Sequence, residues 1–147
     1  MELTIDQALR KGTEAYKAGK FQEADMYYTA ILKAYPNHPD ANHNMGVLAL
    51  GVGKAQEALP FFKIAVEANQ SIPQYWLSYI DALIKQDQMT EAKSVFDKAK
   101  SNGAKGVEFD KLEQRLFCSS VDVKNTIQKD VSTQPEILDE VNLDKKL

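Results

Sequence analysis

The side chains that could do chemistry are few and scattered. His38 and His43 stand five residues apart across Pro39. A metal site needs further ligands at close spacing, and neither a cysteine nor a suitably spaced carboxylate accompanies the pair. The single Cys118 has no partner for an internal disulfide and reads as a bystander in a reducing compartment. Glu57 and Glu91, each with lysines nearby, read as solvated helix faces. The glycines punctuate helical segments and do not form a phosphate-cradling loop after a strand, because no strand pattern exists. These residues predict a protein that is not an enzyme and holds neither metal nor cofactor.

Charge and length narrow the classes further. The chain has 147 residues, a formal net charge of −3 and a sequence pI of about 5.4, with acids and bases mixed along it. A nucleic-acid partner calls for a basic patch, so none is expected. Residues 1–8 carry two acids before the first base and no apolar run, unlike a secretory signal. No stretch approaches the roughly 20 apolar residues that span a bilayer. The expectation is therefore a soluble cytoplasmic protein with no membrane insertion.

Helices must position whatever the chain does. Ile5, Ala8, Leu9, Gly12, Ala15 and Tyr16 have helical spacing, which predicts a helix over 5–18 that ends at Gly19-Lys20. Ala24, Tyr27, Tyr28, Ile31 and Leu32 mark a second over 21–35, stopped by Pro36. Pro39 suits a first helical position and opens a third over 39–51. Gly53 is the turn into a fourth over 55–68, where Pro60 should bend the helix mildly. Pro73 opens a fifth, Asp87-Gln88 forms the next turn, and 89–102 is the sixth, closed by Gly103 and Gly106. Residues 107–117 are amphipathic through Phe109, Leu112 and Leu116, as a capping helix should be. Beyond them Val123, Ile127 and Val131 stand four apart and predict a short helical tail.

One motif recurs in register. Gly19-Lys-Phe-Gln-Glu-Ala24, Gly53-Lys-Ala-Gln-Glu-Ala58 and Asp87-Gln-Met-Thr-Glu-Ala92 step by 34 residues, each with an aromatic four residues on at Tyr28, Phe62 and Phe96. A fixed 34-residue period with Ala-x-x-x-aromatic resembles the tetratricopeptide repeat family. The resemblance is most like N-terminal arrays of larger bacterial proteins. It implies an all-α fold, a right-handed superhelical stack of antiparallel helix pairs. Repeats are expected at 5–38, 39–72 and 73–106, then a cap at 107–118 and a helical tail or linker at 119–147. Gly12 with Ala24, and Gly46 with Ala58, match the family's small residues where paired helices touch. Ile80 replaces the small residue in the third pair, which should splay it slightly unless Ala82 takes over the contact. Lys11 stands where an apolar residue is usual.

The resemblance also implies where a ligand would lie, in a concave groove formed by the first helix of each pair. The residues carried over are Asp6, Leu9, Arg10, Thr13 and Tyr16 from the first; Asp40, His43, Asn44, Val47 and Leu50 from the second; and Gln74, Leu77, Ser78, Asp81 and Ile84 from the third. The apolar members would make a floor and the polar ones would bond a peptide backbone. Chaperone-binding members grip a terminal carboxylate with two Lys, two Asn and an Arg. Here only Asn44 matches, with Leu9, Thr13, Gln74 and Ser78 at the other positions, so a chaperone-type carboxylate ligand is not expected. The expected function is a non-enzymatic scaffold for a protein or peptide partner. The alternative is a substrate-presenting or self-associating module of a larger bacterial transferase, with the tail as an internal ligand or dimer contact.

Overall fold

The computed structural model describes residues 3–118. Among them the chain is helical, with no strand: α1 (Ile5–Lys17), α2 (Phe21–Ala34), α3 (Pro39–Gly51), α4 (Ala55–Ala68), α5 (Pro73–Lys85), α6 (Met89–Ser101) and α7 (Val107–Glu113), which runs on into a π-helical turn, Gln114–Cys118. The chain divides after Gly106 into two compact units. In the first, helices pair in sequence order, α1 with α2, α3 with α4 and α5 with α6, and each pair packs on the next through α2 on α3 and α4 on α5. The first helices of successive pairs also meet, α1 with α3 and α3 with α5. This is the all-α stack of helix pairs that the 34-residue period implies.

Local chemistry explains where the helices begin and end. Thr4 closes a capping box on α1, its hydroxyl accepting from Gln7 N while the Gln7 side chain accepts from Thr4 N. His38 caps α3 through Nδ1, which accepts from Ala41 N at 3.2 Å, with Pro39 at the first helical position. Ala18, Tyr35 and Asn102 prove to be C-caps, so α1, α2 and α6 each stop one residue before the sequence boundary. α4 is continuous through Pro60. Gly19 (φ 79°) and Gly53 (φ 81°) turn the chain inside the first two pairs, and Asp87 (φ 58°) does so in the third.

The cores repeat with the period. Ala24, Ala58 and Ala92 are fully buried, and Tyr28, Phe62 and Phe96 lie beside them in the interior. A Cβ on Gly12 would stand 2.4 Å from the Tyr28 ring, and one on Gly46 would stand 2.5 Å from the Phe62 ring. Only glycine lets those rings close on the opposite helix. In the third pair Ile80 fills that space and is itself fully buried. Ala82, two residues on, is fully buried as well.

The second unit is described through Cys118. Phe109, Leu112 and Leu116 are buried and the residues between them are exposed, as their amphipathic spacing predicts. The final turn departs from the expected α-helix, since Gln114–Cys118 is π-helical. The stripe of Val123, Ile127 and Val131, and with it the proposed tail contact, lies outside the described residues.

Candidate functional site

The face assembled from α1, α3 and α5 is not uniform along its length. On α1, Leu9 is half-buried because it packs against two core clusters, one around Ala8, Ile31 and Ala41 and one around Ala15, Tyr28 and Met45. Tyr16 packs on the second of these, tilts against the Phe21 ring at 5.4 Å, and sets its hydroxyl over the backbone of Gly51. The Thr13 and Tyr28 hydroxyls are 3.5 Å apart, and burial pushes the Tyr28 phenol up from its ordinary value. Asp6 and Arg10 are exposed. At this end, then, the predicted apolar members are partly absorbed into packing.

Between α3 and α5 the predicted polar members converge. His43 Nε2 and Ser78 Oγ are 2.8 Å apart, and Gln74 Nε2 donates to the same Ser78 oxygen at 3.2 Å. One turn toward the helix starts, the Tyr75 hydroxyl donates to Asp40 Oδ1. Burial, followed by the bond to Asp40 and that carboxylate's charge, raises the Tyr75 phenol far above its ordinary value. The His43 ring is tilted against Tyr75 at 5.0 Å and against Phe62 of α4 at 5.6 Å, so three helices meet on it. Burial holds this imidazole below its ordinary value, against the pull of an Asn44 side-chain bond and the Asp40 charge. Farther along α5, Asp81 and Lys85 form an ion pair at 3.0 Å. Val47, Leu50, Leu77 and Ile84 are half-buried, leaving part of each side chain open on this face.

Two residues that hold this region escaped the sequence reading. Spacing alone gives Tyr75 no place in the groove, yet it is buried and fixes the Asp40 carboxylate. Asn42 is the one buried polar residue among the described core and donates through Nδ2 to the carbonyls of Pro36 (3.0 Å) and His38 (2.9 Å). A signal was available for the first. Asp40 to Tyr75 and His43 to Ser78 are both steps of 35, one more than the period, which is the offset at which neighbouring first helices touch.

A hydroxyl on an imidazole nitrogen is also how a serine nucleophile is activated. Ser78 lies in the middle of α5, where the neighbouring backbone N–H groups are used inside the helix, so no oxyanion donor flanks it. Among the described residues no group of three His, Cys, Asp or Glu side chains could hold a metal ion, and no helix is long and apolar enough to cross a membrane.

A second depression lies on a different face of α3. It is a cleft of about 480 Å³ between α2, α3 and α4, lined by Phe21, Asp25, Met45, Leu48, Val52 and Phe61 and edged by Lys54 and Glu57.

A family model described as tetratricopeptide repeat matches residues 9–68 and again 43–106, which together span two-thirds of the chain. The chain belongs to the tetratricopeptide repeat family. Solved structures share the fold at low identity. The first repeat domain of Spaghetti (RPAP3), bound to the HSP90 peptide SRMEEVD, is 20% identical with a TM-score of 0.70, over 80% of this chain and 95% of that one. The TPR2B domain of yeast Sti1, in a pHsp70 complex, is 18% identical with a TM-score of 0.68, over 80% and 97%. The Sgt2 repeat domain from Aspergillus fumigatus is 15% identical with a TM-score of 0.72, over 90% and 89%.

Proposed function

We propose that this tetratricopeptide array is a non-enzymatic scaffold that binds an extended or helical segment of a partner protein along the face of α1, α3 and α5. The observation that supports this reading is the row of half-buried apolar side chains, Val47, Leu50, Leu77 and Ile84, flanked by Arg10, Asn44 and Asp81. Such a row offers apolar contact to alternate side chains of a ligand while the polar flank bonds its backbone. Two of the structural neighbours have peptide or chaperone ligands in their complexes, which fits the same use of the fold.

The ligand should differ from theirs in charge. A peptide such as SRMEEVD ends in acids, and a buried carboxylate needs cationic donors to offset its lost hydration. The positions that would supply them hold Leu9, Thr13, Gln74 and Ser78. A random peptide display selected on this chain should therefore yield sequences without an acidic C-terminus, and SRMEEVD should bind no better than a scrambled control. For a selected peptide, Leu77→Ser combined with Asn44→Ala should weaken affinity by roughly tenfold or more, the scale of losing one interface anchor. Val52→Ser, in the cleft on the other face, should leave it unchanged. The reverse pattern would move the site to that cleft, and tight binding of SRMEEVD would overturn the ligand class.

A further inference from the structure

His43 is the only titratable side chain among the described residues that joins two repeats through a ring nitrogen. We propose that His43 and Ser78 form a proton-sensitive latch between the second and third repeats, tight while the imidazole is neutral and weakened when it takes up a proton. The inference does not depend on what the groove binds, because it concerns how α3 is fastened to α5.

The direction follows from what Ser78 and the walls of the junction offer a neutral and a charged ring. In the neutral ring that carries its hydrogen on Nδ1, Nε2 is left as an acceptor for the Ser78 hydroxyl. Gln74 Nε2 completes the chain by donating to Ser78 Oγ. A proton arriving on Nε2 turns the acceptor into a donor. Ser78 must then reverse its hydroxyl while its oxygen accepts from both Gln74 and His43, and a charge enters a junction walled by rings. The titratable groups facing His43 are Asp40 on its own helix and Tyr75 on α5, while α4 presents the uncharged Phe62 ring. Asp40 already accepts from Tyr75, and Asp81, farther along α5, is held by Lys85. The Asp40 charge favours the imidazolium, but burial outweighs it.

The latch is confined to one junction. The same 35-residue step between the first and second repeats pairs Leu9 with Asn44 and Asp6 with Ala41. A leucine cannot accept from Asn44 and an alanine cannot donate to Asp6, so neither bond can recur there.

The sign follows from burial. The folded chain binds the His43 proton less readily than the unfolded chain, whose histidine has the ordinary value of 6.5. Stability from this group is complete above that value and declines as the pH falls toward the lower folded value. The test uses the full chain carrying His38→Asn, which keeps a good helix cap and removes the other histidine. Its melting temperature should fall by about 2–5 °C more than that of the same chain with His43→Gln added, between about pH 7.5 and about pH 5. In the unmutated chain, NMR titration of the His43 ring should give a midpoint below the ordinary histidine value, and Ser78→Ala should move that midpoint up. Parallel melting curves with and without His43, or a midpoint that Ser78→Ala leaves in place or lowers, would overturn the latch. The titration needs no histidine substitution, so it decides the matter even where His43→Gln folds poorly.

Discussion

Asn42 and Trp76 occupy the same place one period apart and do the same work with different chemistry. Each donates from its side chain to the carbonyl six residues upstream, Asn42 to Pro36 and Trp76 Nε1 to Gln70 at 2.9 Å. Those carbonyls lie at the turn that joins one repeat to the next, where no helical N–H is available to them. Asn42→Ala would strip a donor from two carbonyls at once and is expected to cost about 1–3 kcal/mol. Urea unfolding followed by circular dichroism measures it, and an unchanged midpoint would mean that water serves the Pro36 carbonyl and the Asn42 backbone N–H is enough for that of His38. Spacing could not reveal this role. An asparagine at a position where the next repeat has tryptophan looks like a polar gap in an apolar stripe, and only the closeness of the upstream carbonyls makes it a core residue. His43 and Ser78 were both legible as members of one face, because helical period alone sets a face. Their bond was not, since it depends on how two helices are offset.

At the scale of elements, the bounds of α1 to α6 fall within a residue of where the sequence puts them, for a physical reason. Proline locks its own φ and glycine takes a left-handed backbone without a Cβ clash, so Pro36, Pro39, Gly53 and Pro73 mark helix ends that tertiary packing does not shift. The terminal residues moved where the end is a cap, as at Ala18 and Tyr35, whose half-in geometry leaves no mark on composition. The π-helical turn after α7 was missed because its apolar spacing fits an α-helix equally well over so short a stretch. The turn at Asp87 supplies a test of this punctuation. Its left-handed backbone (φ 58°) is shared in the other two pairs by glycine, which adopts it without the Cβ clash. Asp87→Gly should therefore stabilise the array by up to about 1 kcal/mol, offset in part by the added freedom of the unfolded chain. A lower unfolding midpoint would show that the aspartate side chain contributes more to the turn than its strain removes.

As a whole the first unit is a stack in which each pair leans on its neighbours, and such stacks lose stability one interface at a time. Their two junctions are not alike. Between α1 and α3 the side chains at the touching offset are Leu9 and Asn44, with the Tyr16 hydroxyl over Gly51 beyond them. Between α3 and α5 there are two side-chain hydrogen bonds and a histidine ring against two aromatics. The repeat pattern that made the fold readable hides this difference, because it averages over positions that a period treats as equivalent.

The bond between Tyr75 and Asp40 thus has a consequence for how the molecule comes apart. Opening is expected to begin at the amino-terminal end, with α1 and α2 separating while the other two pairs remain joined. In native-state hydrogen exchange, amides of α1 and α2 should become labelled together at a lower denaturant concentration than those of α3 to α6. Tyr75→Phe should then divide the slow group, letting α5 and α6 exchange ahead of α3 and α4. Exchange of all six helices at one concentration would mean that the apolar junction is as strong as the polar one.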